Sequence, residues 1–186
     1  PMSILRQKRL AEVAEVNGDW LTALRAWRRA IKLGEESVHG EARDGIKFAR
    51  AVAGALQYGS RVEPAMAQDA VQMLHTVKDR FTLLLTEQLQ ADLLHVRLMA
   101  LDGRQDAARS QIDEIERVLA QENIHNIDMD IERAYIRLAM GKAEEAQALI
   151  DLLLQFYAYD QEALEKLDKL LSEPVSETNR SLVAQI

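Results

Sequence analysis

The chain has 186 residues, of which 48% are hydrophobic, with only 8 glycines and 3 prolines. This composition argues against a disordered or collagen-like chain and against a turn-rich β fold. A net charge of −7 argues against attraction of the whole chain to nucleic acid. The lack of cysteine excludes disulfides and thiolate metal sites and fits a reducing compartment, so we expect a cytoplasmic protein. No apolar run reaches the ~18 residues of a membrane span, so no membrane partner is expected.

Apolar residues recur at i, i+3, i+4 and i+7 between short polar breaks, a pattern typical of amphipathic helices. No segment alternates with period two, so the sequence predicts an all-α protein. Ser3, Asp19 and Asp160 are candidate N-caps, Gly18 suits a helix end, and Pro64 suits a first helical turn. The predicted helices span about 3–16, 20–33, 41–57, 63–79, 84–101, from just after 103 to 121, 129–140, 142–157 and 160–172.

A glycine followed five residues later by an alanine, with apolar or small residues at +9 and +12, occurs three times. These segments begin at Gly18, Gly103 and Gly141. Glycine permits a tight reversal, and a small residue lets two antiparallel helices approach closely where they cross. Such hairpins stack on their neighbours because none can bury its apolar face alone. The alanines at the crossing position are Ala23, Ala70, Ala108 and Ala146, and the last two intervals are 38 residues. The alternative is an ordinary helical bundle.

This pattern resembles the tetratricopeptide repeat (TPR). The closest match is the first repeat, in which Gly18-Asp19-Trp20, Ala23-Leu24, Trp27 and 30–33 stand at the family's spacing. Ala11 and Ala134 occupy the family's small position in the preceding helix, whereas Val96 replaces it in the third repeat and the closing proline is absent.

The resemblance covers roughly 3–157 and implies a right-handed superhelical solenoid whose first helices line a concave groove for a partner segment. We assign 1–172 to this TPR-like domain and 173–186 to the start of a truncated further helix or a tail. The segments 30–39, 48–50 and 173–186 also resemble the TPR portion of certain bacterial response regulators. In those proteins a receiver domain precedes the repeats, so this chain corresponds to the downstream part. The resemblance implies a non-catalytic scaffold of two-component signal transduction.

No residues suggest an enzyme, a cofactor or a metal. The four histidines, at 39, 75, 95 and 125, include no pair at helical spacing, and no glycine-rich phosphate loop or G-x-S-x-G motif occurs. Gly40, Gly45 and Gly54 are expected to permit close helix contact instead. The alternative function rests on 73–79, which resembles the histidine phosphotransfer motif, with His75 as phosphate acceptor and Lys78 as stabiliser. Asp79 stands where that family has glycine, and its carboxylate would repel phosphate.

The charge is asymmetric: 1–50 contains ten basic and seven acidic residues, and 111–173 contains six basic and fifteen acidic residues. Arg43, Lys47 and Arg50 share one face of the third helix and are predicted to attract an acidic partner segment.

In the TPR register, Arg97 and Tyr135 point into the groove and suit a contact hot spot. The alternative is that these charges lie on solvated outer faces of the helices, which also carry Arg25, Arg28, Arg29 and Lys32. A third possibility is head-to-tail self-association of the basic and acidic ends. No aromatic residues alternate with these basic residues along the sequence, so nucleic-acid binding is not expected. Trp20 and Trp27 are predicted core residues.

Overall fold

The computed structural model describes residues 3–35, 42–58 and 62–172. Within these ranges the chain forms nine α-helices and no strand, which confirms the all-α prediction. The helices are α1 (Ile4–Val16), α2 (Trp20–Glu35), α3 (Ala42–Gln57), α4 (Pro64–Arg80), α5 (Leu85–Leu101), α6 (Gln105–Gln121), α7 (Ile127–Ala139), α8 (Ala143–Phe156) and α9 (Gln161–Ser172). The predicted tail, 173–186, lies outside the described residues.

Three turns, between α1 and α2, α5 and α6, and α7 and α8, have the same backbone structure. Gly18, Gly103 and Gly141 adopt φ values of +71°, +79° and +71°. In each turn the residue after the glycine donates its N–H to the carbonyl five residues earlier, at 2.9, 3.0 and 2.9 Å. This is the Schellman arrangement, which satisfies the last carbonyls of one helix while the chain reverses. The helix ends predicted at these glycines are confirmed.

Side chains cap some of the helices as predicted. The carboxylate of Asp19 accepts a hydrogen bond from the Thr22 N–H at 3.1 Å, and that of Asp160 accepts from the Ala163 N–H at 3.0 Å. Ser3 occupies the N-cap of α1, but its hydroxyl forms no cap hydrogen bond, so that part of the prediction is wrong. Asn126 caps α7, which starts two residues before the predicted position.

The chain divides into two compact units, 1–95 and 96–186. The core of unit 1 contains Trp27, Phe48 and Leu74, and that of unit 2 contains Ile136 and Leu167. The four alanines predicted at helix crossings, Ala23, Ala70, Ala108 and Ala146, are completely buried, as are the matching small or β-branched residues Ala11, Val96 and Ala134. The alanines predicted to lie where helices cross are therefore buried in both units.

Two glycines allow close packing of helices inside unit 1. A Cβ atom on Gly54 would lie 2.5 Å from the Trp20 ring, and one on Gly45 would lie 2.5 Å from the Val77 side chain. Close approach at these two positions is thus confirmed, whereas Gly40 lies outside the described residues. Trp27 is fully buried as predicted, whereas Trp20 is half-buried.

Among the helices of 3–35, 42–58 and 62–172, none combines the length and apolarity required to cross a bilayer.

Candidate partner-binding surface

The three cations predicted to bind a partner lie on α3, within unit 1. Arg43 donates from Nε to a carboxylate oxygen of Glu87 on α5 at 3.2 Å. Lys47 donates from Nζ to Glu12 on α1 at 3.1 Å, and its ammonium also lies 4.8 Å from the centre of the Trp27 ring. Arg50 is half-buried and forms no ion pair with the described residues.

These ion pairs make Arg43 and Lys47 less available to bind a partner. A third interhelical pair, Lys8 with Asp44 at 2.9 Å, joins α1 to α3 beside them. Because Arg43 and Lys47 are already matched by acids of their own chain, an acidic partner would have to compete with those acids. The α3 cations help to fix the helices against one another, and their predicted role in binding remains a prediction.

Arg97 and Tyr135 are brought together, but in the interior of unit 2. The Arg97 guanidinium stacks over the Tyr135 ring at 4.1 Å and donates to the Glu132 carboxylate at 3.0 Å. Arg97 is only 1% exposed, and Tyr135 is also buried. A planar, weakly hydrated guanidinium suits this combination of ring stacking and ion pairing. In this arrangement little of either side chain is left for a partner to contact.

A cavity of about 370 Å³ lies between α2 and α4 in unit 1. Phe48 of α3 is buried at its base, and Ile31 and Met73 are half-buried beside it. The remaining lining is polar or charged and comes from both helices: Arg28, Lys32, Glu35, Asp69, Gln72 and Thr76. The cavity therefore combines an apolar base with a polar rim, which is the usual composition of a binding site.

A smaller cavity of about 170 Å³ continues the first one toward the start of α2 and α4. Arg28 lines both, donating to Asp69 at 3.2 Å and to the sulfur of Met66 at 3.3 Å. The linings extend along α2 from Leu21 to Glu35, about 21 Å at a rise of ~1.5 Å per residue. We call the two cavities together the α2–α4 furrow.

The α2 side of the furrow carries accessible positive charge. Arg25 and Lys32 line it, are exposed, and form no ion pair with the described residues. Arg29 is exposed on the same helix but lines neither cavity. From the sequence, these cations are expected to lie on a solvated face. Ile31, an apolar residue among them, was the local signal that this face is partly covered.

His75, the residue of the alternative function, is exposed on α4. Its ring meets that of His95 on α5 edge to face, with centroids 5.4 Å apart. Lys78, the predicted phosphate stabiliser, is ion-paired with Asp92 instead. A phosphoryl group on His75 would thus face a lysine whose charge is already matched, in addition to the nearby carboxylate of Asp79.

Unit 2 contains a partly buried cluster of arginines and acids. Glu116 of α6 accepts from Arg133 at 2.8 Å and from Arg137 at 2.7 Å, both on α7. Burial alone would raise the pKa of Glu116, but these hydrogen bonds and charges outweigh it and hold the pKa below its ordinary value. Asp130, which also binds Arg133, accepts from the Tyr157 hydroxyl at 2.9 Å. Burial and this hydrogen bond raise the pKa of Tyr157, so the phenol stays protonated as a donor.

The described part of the chain has no group of three or more His, Cys, Asp or Glu side chains placed to hold a metal ion. Comparison with known protein families, with curated proteins and with solved structures finds no match for this chain. The observations define a class only: an all-helical protein with a polar-rimmed furrow in its first unit.

Proposed function

We propose that this chain is a non-catalytic protein-interaction module, built of TPR-like helix hairpins, that holds an acidic segment of a partner protein. The observation that carries the proposal is the α2–α4 furrow, with its apolar base and the exposed cations Arg25 and Lys32, which form no ion pair with the described residues. Apolar contact supplies affinity in such sites, and charge complementarity supplies orientation and a faster encounter.

Local structure supports the repeat part of the proposal. Three turns share one backbone structure, and the alanines at the crossing positions are all completely buried. On the basis of these local features, the proposed architecture of the repeats is a right-handed superhelix. The origin in a response-regulator-type signalling protein rests on sequence segments that extend into 36–41 and 173–186, outside the described residues.

The proposed location differs from the one that the TPR resemblance implies. That resemblance places the partner on the first helices of the hairpins, which include α3, whereas the furrow lies between the second helices α2 and α4. We favour the furrow because two of the α3 cations are ion-paired within the chain, whereas Arg25 and Lys32 on α2 form no ion pair with the described residues and only Arg28 beside them is paired, with Asp69. The expected ligand is a short amphipathic segment with an apolar side chain over Phe48 and Ile31, flanked by Asp or Glu.

The test uses the absence of cysteine from the chain. A single cysteine at Gln72, inside the furrow, is labelled with an environment-sensitive fluorophore. A phage-displayed library of 12-residue peptides is selected on the immobilised wild-type chain, and the enriched peptides are titrated against the labelled protein. We expect peptides that combine acidic and apolar residues, and a fluorescence change that saturates. A label at Ser110 on α6 is the control and should not respond.

Charge-reversal variants on one helix then assign the site. Arg25→Glu with Lys32→Glu should weaken binding of the enriched peptides at least tenfold, because both cations line the furrow. Arg29→Glu is the matched control on the same helix and should bind like wild type. Selection that enriches no acidic peptide, or equal loss in the control variant, would rule out the furrow as the site.

Phosphotransfer through His75 is the second candidate function, favoured by the exposure of this side chain. Incubation with a phosphorylated receiver domain tests it directly. Acid-labile labelling that disappears in His75→Gln would support phosphotransfer, and the absence of labelling would exclude it.

A further inference from the structure

The first helix of unit 1 exposes apolar side chains on its outer surface. Leu5, Val13 and Val16 are 76%, 50% and 72% exposed, and Leu10 is 44% exposed beside them. A helix whose outer side faces water normally carries polar residues there, and clustered apolar exposure marks an interaction surface. We call the outer surface formed by Leu5, Arg6, Arg9, Leu10, Val13 and Val16 the α1 face.

The charges within the α1 face are positive. Arg6 and Arg9 are exposed between the apolar side chains, and Arg9 reaches only a 4.0 Å contact with Glu12. The acids of α1 have other partners: Glu12 accepts from Lys47, and Glu15 accepts from the Trp27 indole at 2.6 Å. The α1 face is therefore both apolar and cationic.

Unit 2 exposes a second apolar cluster at the end of α8. Leu152 and Phe156 lie one turn apart and are 62% and 57% exposed, and Tyr159 in the next turn is fully exposed. The Phe156 ring contacts the ring of His125 at a centroid distance of 5.1 Å, which holds it in place. We call the surface of Leu152, Phe156 and Tyr159, together with the exposed acids Glu144 and Asp151 of the same helix, the α8 face.

The surroundings of the α8 face are acidic. The segment 143–172 contains seven acidic residues and two basic residues. Glu145 is already ion-paired with Lys142 at 2.7 Å, so the acids of α8 that a partner can reach are Glu144 and Asp151, which are exposed and form no ion pair with the described residues. The α8 face is therefore apolar and anionic, the opposite charge to that of the α1 face.

We propose that the α1 face of one copy of this chain binds the α8 face of a second copy, head to tail. The two faces carry opposite charge, each exposes several large apolar side chains, and both are present on every copy. Apolar burial would supply the affinity, and pairing of Arg6 and Arg9 with the acids of α8 would fix the orientation. The contact is heterologous, so each pair keeps one free face of each kind and larger assemblies form as concentration rises. It uses neither wall of the α2–α4 furrow and is independent of the proposed function.

Mixing two variants of the full chain tests the proposal. A head variant carries Arg6→Glu and Arg9→Glu, and a tail variant carries Leu152→Glu and Phe156→Glu. All four side chains are exposed, so both variants should keep the helical circular dichroism and the melting temperature of wild type. Sedimentation velocity from about 10 µM to about 1 mM should show wild type growing beyond a dimer and each variant as a monomer. An equimolar mixture should form a dimer and nothing larger, because one intact face of each kind remains.

The control is a variant with Arg29→Glu and Arg117→Glu, exposed arginines on α2 and α6 whose reversal changes the net charge as much as the head variant does. It should associate like wild type. A wild-type chain that stays monomeric at about 1 mM overturns the proposal, as does assembly that survives in either single-face variant. A wild-type dimer that the mixture fails to restore indicates a symmetric contact and also overturns it.

Discussion

Replacement of Arg97 decides whether this residue holds unit 2 together or serves as a contact for a partner. Arg97 is 1% exposed and donates to Glu132, whose side chain is 7% exposed, at 3.0 Å. Arg97→Met leaves the Glu132 carboxylate buried without that partner. Breaking a buried ion pair from one side typically costs about 3–5 kcal/mol. For a chain of this length 1 kcal/mol corresponds to roughly 2–4 °C, so the melting temperature should fall by about 6–20 °C.

A double-mutant cycle separates the ion pair from general packing. Glu132→Gln alone should also destabilise unit 2, since the guanidinium then lacks its carboxylate. The double variant Arg97→Met with Glu132→Met carries no buried charge, and such apolar replacements are often neutral. We therefore expect the double variant to be several kcal/mol more stable than the sum of the single effects predicts.

Urea unfolding monitored by circular dichroism measures each corner of the cycle. Arg97→Lys is the informative control, because it keeps the charge but loses the planar group that stacks on Tyr135. A melting temperature within about 2 °C of wild type for Arg97→Met would refute the reasoning. Strict additivity in the cycle would also refute it.

Three other outcomes follow from particular contacts. Gly54→Ala should destabilise unit 1 by about 1–3 kcal/mol in urea unfolding, because the new methyl overlaps the Trp20 ring; wild-type stability would show that the ring moves aside freely. Gly141→Ala meets no atom but must adopt φ +71°, so a smaller loss of about 1–2 kcal/mol is expected, and a gain in stability would contradict it. Glu116 has a pKa below the ordinary 4.5, so its carboxylate stabilises the fold above that pH and ceases to do so on acidification. The stability difference between wild type and Glu116→Gln should thus shrink from pH 7 to pH 3, and a constant difference would exclude this linkage.

The helix bounds were predictable because residues close in sequence determine where a helix begins and ends. Gly18, Gly103 and Gly141 could be assigned from the sequence, since a reversal needs a positive φ and glycine adopts it without strain. Asn126 was missed as a cap although it is a favoured residue for that position. Buried alanines were also predictable, because the glycine that precedes three of them fixes where in the helix the crossing falls.

The partners of the charged residues were not predictable in the same way. Lys47 pairs with Glu12 and Arg43 with Glu87, acids that lie 35 and 44 residues away along the chain. Periodicity places a cation on a helix face but does not reveal what the neighbouring helix presents to it. Glu132 was the missed local signal that Arg97 would be ion-paired. It precedes Tyr135 by three residues, so the two side chains lie on the same side of α7, and an arginine beside Tyr135 can also reach Glu132.

The two proposals can be tested separately because they use different cations of unit 1. A cation is most available for recognition where its own chain does not pair it, and Arg25 and Lys32 on α2 and Arg6 on α1 form no ion pair with the described residues. Because these groups lie on different helices, variants of one should not affect the function of the other. Acidic peptides that bind the furrow should therefore bind the head variant, Arg6→Glu with Arg9→Glu, with unchanged affinity in the fluorescence titration. Loss of peptide binding in that variant would mean that α1, and not the furrow, holds the acidic segment.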